Sequence, residues 1–279
     1  MWVGQQLADG LDFWGFLGSL ILGGIILGIY TGLLGYVGAK TGLSLDLLSQ
    51  RAFGEKGSYL PSAMTSFTQI GWFSVGSFVS GGTATPNFAR FAKNGKAGAI
   101  TTVVAFFIGN SLMFFFGAVS SIFVGGNDIF EVMVRLNLFY LAVLVLGLNI
   151  WTTNDNALYT AGLGLANIFH QRKKPMVLLS GIIGTVASVW LYYNFCGWLN
   201  ILNCTLPPVG MILVLAYFMN KEDFETDQPK LKTVDWFAVA GVILGAIVAN
   251  LLHWGIASIN GMVVAAVCYC VGQAVNKRK

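Results

Sequence analysis

From Phe13 to Ala39 the chain carries no charged residue, and the same holds from Gly57 to Ala89 and from Ala97 to Asn127. Each run exceeds the ~20 apolar residues a helix needs to cross a bilayer. With no water inside hydrocarbon, such a run must satisfy its backbone internally, and the helix does so within one segment. The pattern continues from Leu136 to Phe169 with Asp155 as its one interruption, and from Met176 to Asn203. A short run spans Leu206 to Met219, and two more span Trp236–Leu252 and Ile256–Val275. The reading is an all-α integral membrane protein of seven or eight segments, forming a single transmembrane domain over residues 1–279 with no soluble domain attached.

Composition agrees where it bears on this. Charged residues make up 10% of the chain and mean hydropathy is +0.71, against roughly 25% charged residues in soluble domains. The 35 glycines suit close-packed membrane helices, and Gly24, Gly28 and Gly32 form a ridge for tight packing. The net charge of +4 is spread in short clusters between apolar runs, which sets topology and argues against nucleic-acid binding. The first dozen residues contain Asp9 and Asp12 and no basic stretch, so no cleavable signal peptide is expected. Cys196 and Cys204 are read as flanking a helix end, and Cys268 and Cys270 as inert membrane thiols. Asn203-Cys204-Thr205 is a glycosylation sequon by pattern only. Nothing resembles a nucleophile–base pair, a phosphate loop or a metal motif, so an enzyme is not expected.

Basic clusters orient the segments. Lys277-Arg278-Lys279, the 221–235 linker, Arg172-Lys173-Lys174 and Arg90/Lys93/Lys96 all read as cytoplasmic, leaving the C-terminus inside. The alternation then breaks. If 57–89 is one ordinary span, the loop with Lys40, Arg51 and Lys56 must lie outside, although it too looks cytoplasmic.

Polar residues inside the spans point to function. Asn149, Thr152, Thr153 and Asn156 recur at i, i+3, i+4 and i+7, placing two amides and two hydroxyls on one helical face beside Asp155. Such oxygens suit a small hard cation such as sodium, or interhelical hydrogen bonds. Trp14, Trp198, Trp236 and Trp254 read as interfacial, but Trp72 lies mid-run, one turn from Gln69. The stretch Ser77-Phe78-Val79-Ser80-Gly81-Gly82-Thr83-Ala84-Thr85-Pro86 weakens a helix at membrane depth, a feature of transporter sites. Aromatic, amide and hydroxyl groups together suit a planar hydrogen-bonding ring.

These residues carry a family resemblance. ILGIYTGLLGYVGAKTGL (26–43), TQIGWF (68–73), SFVSGGTATPNFARF (77–91), GNSLMFFFGA (109–118), VLGLNIWTTNDNALYTAGLG (145–164), GIIGTVASVWLYYNFCGWL (181–199) and PPVG (207–210) closely resemble the nucleobase:cation symporters, the purine-cytosine permeases. The resemblance implies a LeuT-like inverted repeat in the bacterial cytoplasmic membrane. It implies carriage of cytosine or a related nucleobase with sodium or a proton and no other cofactor. A purine, another pyrimidine or a hydantoin-like ring is the alternative cargo. By the same resemblance Gln69, Trp72, Ser77, Phe78, Ser80, Gly81 and Asn149 belong to the base pocket, and Asn149, Thr152 and Thr153 to the sodium site.

The departures from the family carry an expectation of their own. The chain begins within what resembles the family's first helix. Near 74–77 it passes from the family's third helix into its sixth, which implies a shortened form lacking the helices between. That accounts for two cytoplasmic-looking loops around 57–89. It also removes cation ligands that the first helix supplies in the family, so a transport-inactive remnant is the competing expectation.

Overall fold

The computed structural model describes residues 12–75, 81–125, 129–226, 228, 229, 231–252 and 254–277. All regular structure among them is helical. The helices are α1 (Phe13–Thr41), α2 (Leu45–Phe53), α3 (Tyr59–Val75), the short α4 (Gly81–Ala84) and α5 (Pro86–Ala89), and α6 (Gly95–Val124), which holds a π-helical turn at Ala105–Gly109. Then come α7 (Ile129–Arg135), α8 (Phe139–Phe169), α9 (Lys173–Tyr193), α10 (Phe195–Met219), α11 (Lys221–Glu225), α12 (Trp236–Leu251) and α13 (Ala257–Lys277). Helices α1, α6, α9, α10 and α13 are long and apolar enough to cross a membrane, and α12 is apolar but shorter. Helix α8 has the length, 31 residues, but carries the polar stretch near its middle.

Local chemistry starts and stops these helices. The side chains of Asp12, Ser44, Asn94 and Asp235 accept from backbone N–H groups in the first turns of α1, α2, α6 and α12, satisfying donors with no intrahelical partner. Gly42 ends α1 at φ +69°, a backbone conformation that glycine adopts without strain. The α1 ridge then works as its spacing predicts. Gly28 and Gly32 lie against Val103 and Gly24 against Phe107, so α1 and α6 approach closely.

One boundary differs from the sequence expectation. Segments ending at Asn203 and starting at Leu206 are replaced by α9 ending at Tyr193 and one unbroken α10, with Pro207 and Pro208 inside it. Proline lacks an N–H, so Pro207 releases the carbonyl four residues back, that of Asn203. Ser258 Oγ donates to that carbonyl at 3.1 Å, and Pro208 packs against Gly245 and Gly261. A neighbouring helix thus makes good what Pro207 removes. Cys196 and Cys204 accordingly lie within α10 and do not flank its end.

The topology conflict also resolves. Glu55 and Lys56 N–H groups donate to the Lys232 and Thr233 carbonyls at 2.8 and 2.9 Å, and Asp235 N–H donates to Phe53 O at 2.6 Å. Arg51 Nη1 donates to Asp223 O at 2.8 Å, and Gln273 Nε2 reaches Asp235 Oδ2 at 3.5 Å. Tyr59 Oη meets His170 Nε2 at 2.7 Å, and Leu45 N–H donates to Asn87 Oδ1 at 2.8 Å. The loop before α3, the end of α5, the α8–α9 turn, the linker before α12 and the end of α13 therefore share one face. Segment 57–89 leaves that face and returns to it.

A core of α1, α2, α10, α11, α12 and α13 lies beneath this face, built from Leu34, Val37, Leu48, Phe53, Ile212, Leu213, Tyr217, Phe224, Val242 and Tyr269. A smaller cluster of Ala157, Leu191, Trp198, Leu202 and Leu206 joins α8, α9 and α10, with Met64 of α3 against it.

Candidate functional site

The site is organised by the antiparallel pair α3 and α8. Ser66 Oγ donates to the Ala161 carbonyl at 3.2 Å. Asn167 Nδ2 donates to Ser58 Oγ and Ser62 Oγ at 3.1 and 2.9 Å. Continuing this register sets Gln69 level with Leu158, and the end of α3 at Val75 level with Thr152. Small residues make the approach possible. Ala157 and Ala161 are buried, and a methyl added at Gly164 would lie 2.8 Å from the Ser62 carbonyl.

The mouth of this seam on the basic face is a polar network. Ser62 Oγ donates to Asp46 Oδ1 at 2.6 Å while accepting from Asn167, whose Oδ1 accepts from Gln50 Nε2 at 2.6 Å. Arg90, following α5, donates through Nη2 to the Tyr159 hydroxyl of α8. Asp46 is buried, and burial pushes its carboxyl up to about 6; the Ser62 hydroxyl, its own backbone N–H and the Arg90 charge hold it partway back. Asn87 Nδ2, Arg90 Nε and Ser49 Oγ are buried atoms with no hydrogen-bond partner among the described residues. Four elements thus converge on Asp46: α2, α3, α5 and α8.

Farther into the membrane the sequence-predicted residues separate. Gln69 is buried, level with Leu158 of α8 in this register. Two residues on, Gly71 lies against the Trp198 indole of α10 so closely that a side chain at 71 would overlap the ring. Trp198 is 2% exposed, so it is a packing residue at the junction and not the interfacial Trp its position suggested. Trp14, Trp236 and Trp254 are exposed, as a belt requires. Trp72 lies in α3 and Gly81 opens α4, with their side-chain environment outside the described residues, as are Ser77, Phe78 and Ser80 altogether.

The polar stripe on α8 is real as a stripe but open as a site. Asn149, Thr152 and Asn156 are exposed, Thr153 is half-buried and Asp155 is exposed. Thr152 Oγ donates back to the Leu148 and Asn149 carbonyls at 3.1 Å each. The α8 residue that shares the face of Ala157 and Ala161 is Asn154, whose Oδ1 is buried without a hydrogen-bond partner among the described residues. Sequence reading missed Asn154 because it lies off the i, i+3, i+4, i+7 stripe. The run Asn154, Ala157, Ala161, Gly164 was the signal, since small residues at helical spacing mark the close-packed face. The Asp46–Ser62–Asn167 network was missed as well, its members being far apart in sequence.

Two comparisons bear on this geometry. A family model described as "Permease for cytosine/purines, uracil, thiamine, allantoin" matches residues 1–84 and, separately, 74–275. The cytosine permeases of Escherichia coli strains K12 and O157:H7 are each 36% identical to this chain over 372 aligned positions, covering 100% of it and 88% of the relative. The chain has 279 residues, so 372 − 279 = 93 of those positions have no counterpart here. The two family matches overlap between 74 and 84, where α3 ends and the broken segment begins. With the family match running over nearly every residue and this identity spanning the whole chain, the protein belongs to the family of permeases for cytosine, purines, uracil, thiamine and allantoin.

Proposed function

We propose that this protein binds cytosine or a closely related ring within the membrane and carries it across, driven by sodium or a proton. The observation that carries the reading is Gln69, a primary amide buried on α3, on a chain whose relatives are named cytosine permeases. An amide offers both a donor and an acceptor to the edge of a base, and Trp72 and Phe78 supply faces on which the ring stacks, worth ~1–3 kcal/mol each. Ser77, Ser80, Gly81 and Asn149 complete the pocket in this reading, and Asn149, Thr152 and Thr153 give the cation side-chain oxygens. The family relation favours a LeuT-like inverted repeat in shortened form. The missing aligned positions fall at the break near 74–77, all within one transmembrane domain. The face rich in Lys and Arg is cytoplasmic by the positive-inside rule, with the C-terminus on that side of a bacterial inner membrane.

A second reading has its own support. Asn149 and Thr152 are exposed, and oxygens open to one side make a poor cation site. A chain that binds the base without transporting it fits that observation. Uptake of radiolabelled cytosine by bacteria lacking their own permease, set beside binding to the purified protein, separates the two. Binding and uptake that both vanish in Gln69→Ala support the carrier. Binding without uptake supports the inactive form, and neither would sink the nucleobase assignment.

A further inference from the structure

Helix α4 is a single turn, Gly81-Gly82-Thr83-Ala84. One turn does not hold its own shape, because its few backbone bonds do not offset the ordering they require, and glycine raises that cost. Its placement must come from its neighbours. Just beyond it the chain is pinned where α1 runs against α5, a methyl added at Gly38 lying 2.7 Å from Pro86 Cα. The end that opens at Gly81 needs another anchor, and α1 supplies it two turns before Gly38. There Tyr30 Oη and the buried Thr83 Oγ1 share a hydrogen bond of 2.8 Å between helices.

Buried threonine hydroxyls elsewhere return to their own helix: Thr31 donates to the Leu27 carbonyl, Thr65 to Pro61 and Thr102 to Gly98. Such bonds satisfy the hydroxyl and fix nothing outside the helix. The Tyr30–Thr83 bond joins two elements. The phenol is also held from behind. Gly210 of α10 lies so close that a methyl there would sit 2.6 Å from Tyr30 Cζ and overlap the hydroxyl. The ring packs against the core that includes Val209 and Leu213. Wedged between α4 and α10, the phenol has no room to swing away from Thr83. Its hydroxyl is a fixed point for α4, and a binding site is precise only when the residues behind it are locked in this way.

We infer that Tyr30 is a positioning residue for base recognition: through Thr83 it holds α4 where Gly81 and the residues before it meet the ring. It acts on the helix and not on the base. The inference rests on the reading of Ser77, Phe78, Ser80 and Gly81 as pocket residues, and the two can fail separately.

The test removes one hydroxyl at a time from the purified full chain. Equilibrium binding of labelled cytosine is measured below each variant's own melting midpoint, so that lost binding is not lost fold. Tyr30→Phe, which keeps the ring, and Thr83→Val, which keeps the shape, each raise Kd about fivefold, as one lost hydrogen bond allows. The double variant also stays near fivefold, since the same bond is lost only once. Thr83→Ser keeps the hydroxyl and stays within about twofold of the parent, as does Thr31→Val, which removes a buried hydroxyl one residue from Tyr30. Without cytosine, amide hydrogen exchange across residues 81–89 quickens in Tyr30→Phe and Thr83→Val alike. A parent that binds no cytosine sinks the nucleobase reading and this role with it. Binding that stays intact in both single variants overturns the role of Tyr30 and leaves the nucleobase reading standing. So does a double variant whose loss is the product of the two single losses, a Thr83→Ser as weak as Thr83→Val, an equal loss in Thr31→Val, or unchanged exchange over 81–89.

Discussion

The two halves of α8 are written in different alphabets. From Ala157 to Gly164 the helix uses small residues, buries them, and holds α3 at close range. From Phe139 to Thr152 the described side chains are exposed, apart from Ala142 and the half-buried Leu146. Both halves are equally helical. Helicity here comes from the backbone's need to satisfy itself in lipid, whereas burial comes from having a neighbour. The same contrast holds across the molecule. The α1–α2–α10–α12–α13 core is dense on the basic face, while α6 and α9 present mostly open surfaces.

Identical substitutions in the two halves break or confirm this contrast most sharply. Gly164→Val should lower stability by about 3 kcal/mol, because the new side chain must push α3 away from α8. Gly147 has open space where a side chain would begin, and Gly147→Val should change stability by less than about 0.5 kcal/mol. Heating each variant in detergent and following its monodisperse chromatographic peak gives the comparison. Equal losses would mean that the halves are packed alike.

Protons probe the closed end of the seam. Asp46 binds its proton more tightly in the folded chain, about 6 against an ordinary 3.8. Stability should therefore rise as pH falls from about 6 toward 3.8, and the penalty is fully present above 6. Asp46→Asn removes that dependence and should stabilise the protein at pH 7, by at most about 3 kcal/mol. Melting the parent and variant across pH 4 to pH 7.5 measures this. Parallel curves would show that Asp46 is solvated after all.

Where the halves meet, at the end of α3, Trp72→Ala should weaken cytosine binding by ~1–3 kcal/mol through lost stacking, roughly one to two decades in Kd. Equilibrium binding of labelled cytosine to purified protein decides it, and an unchanged Kd would make Trp72 a packing residue like Trp198. The smallest effect belongs to the open half. Sodium should raise cytosine affinity by less than about twofold, since a weakly held ion has little coupling free energy to share. Strong stimulation, abolished by Thr152→Ala, would mean that the bare stripe is closed in the working protein.

What could be read from sequence follows the same division. Spans α1, α6, α12 and α13 were visible because long uncharged runs need no partner to be recognised. The Gly24–Gly28–Gly32 ridge was visible because its spacing alone defines a surface. The α9–α10 boundary was not, since Pro207 and Pro208 signal an end unless Ser258, distant in sequence, supplies the missing donor. Trp198 was misplaced for a related reason. A Trp near the end of a span looks interfacial until the gap over Gly71 is seen. Asn154 and Asp46 needed the register between α3 and α8, which no single helix encodes.

The segment that departs from the basic face after Gly57 and comes back to it by Asn87 has a bearing on how such a chain can change length. A path that returns to its starting side contributes nothing to the sense in which later helices thread the bilayer. Residues can be added or removed inside it while α6 to α13 keep their directions, so long as the ends still meet. Its Leu45–Asn87 hydrogen bond is the clasp that keeps them meeting. Such a loop is a place where a membrane protein can gain or shed mass without being turned inside out.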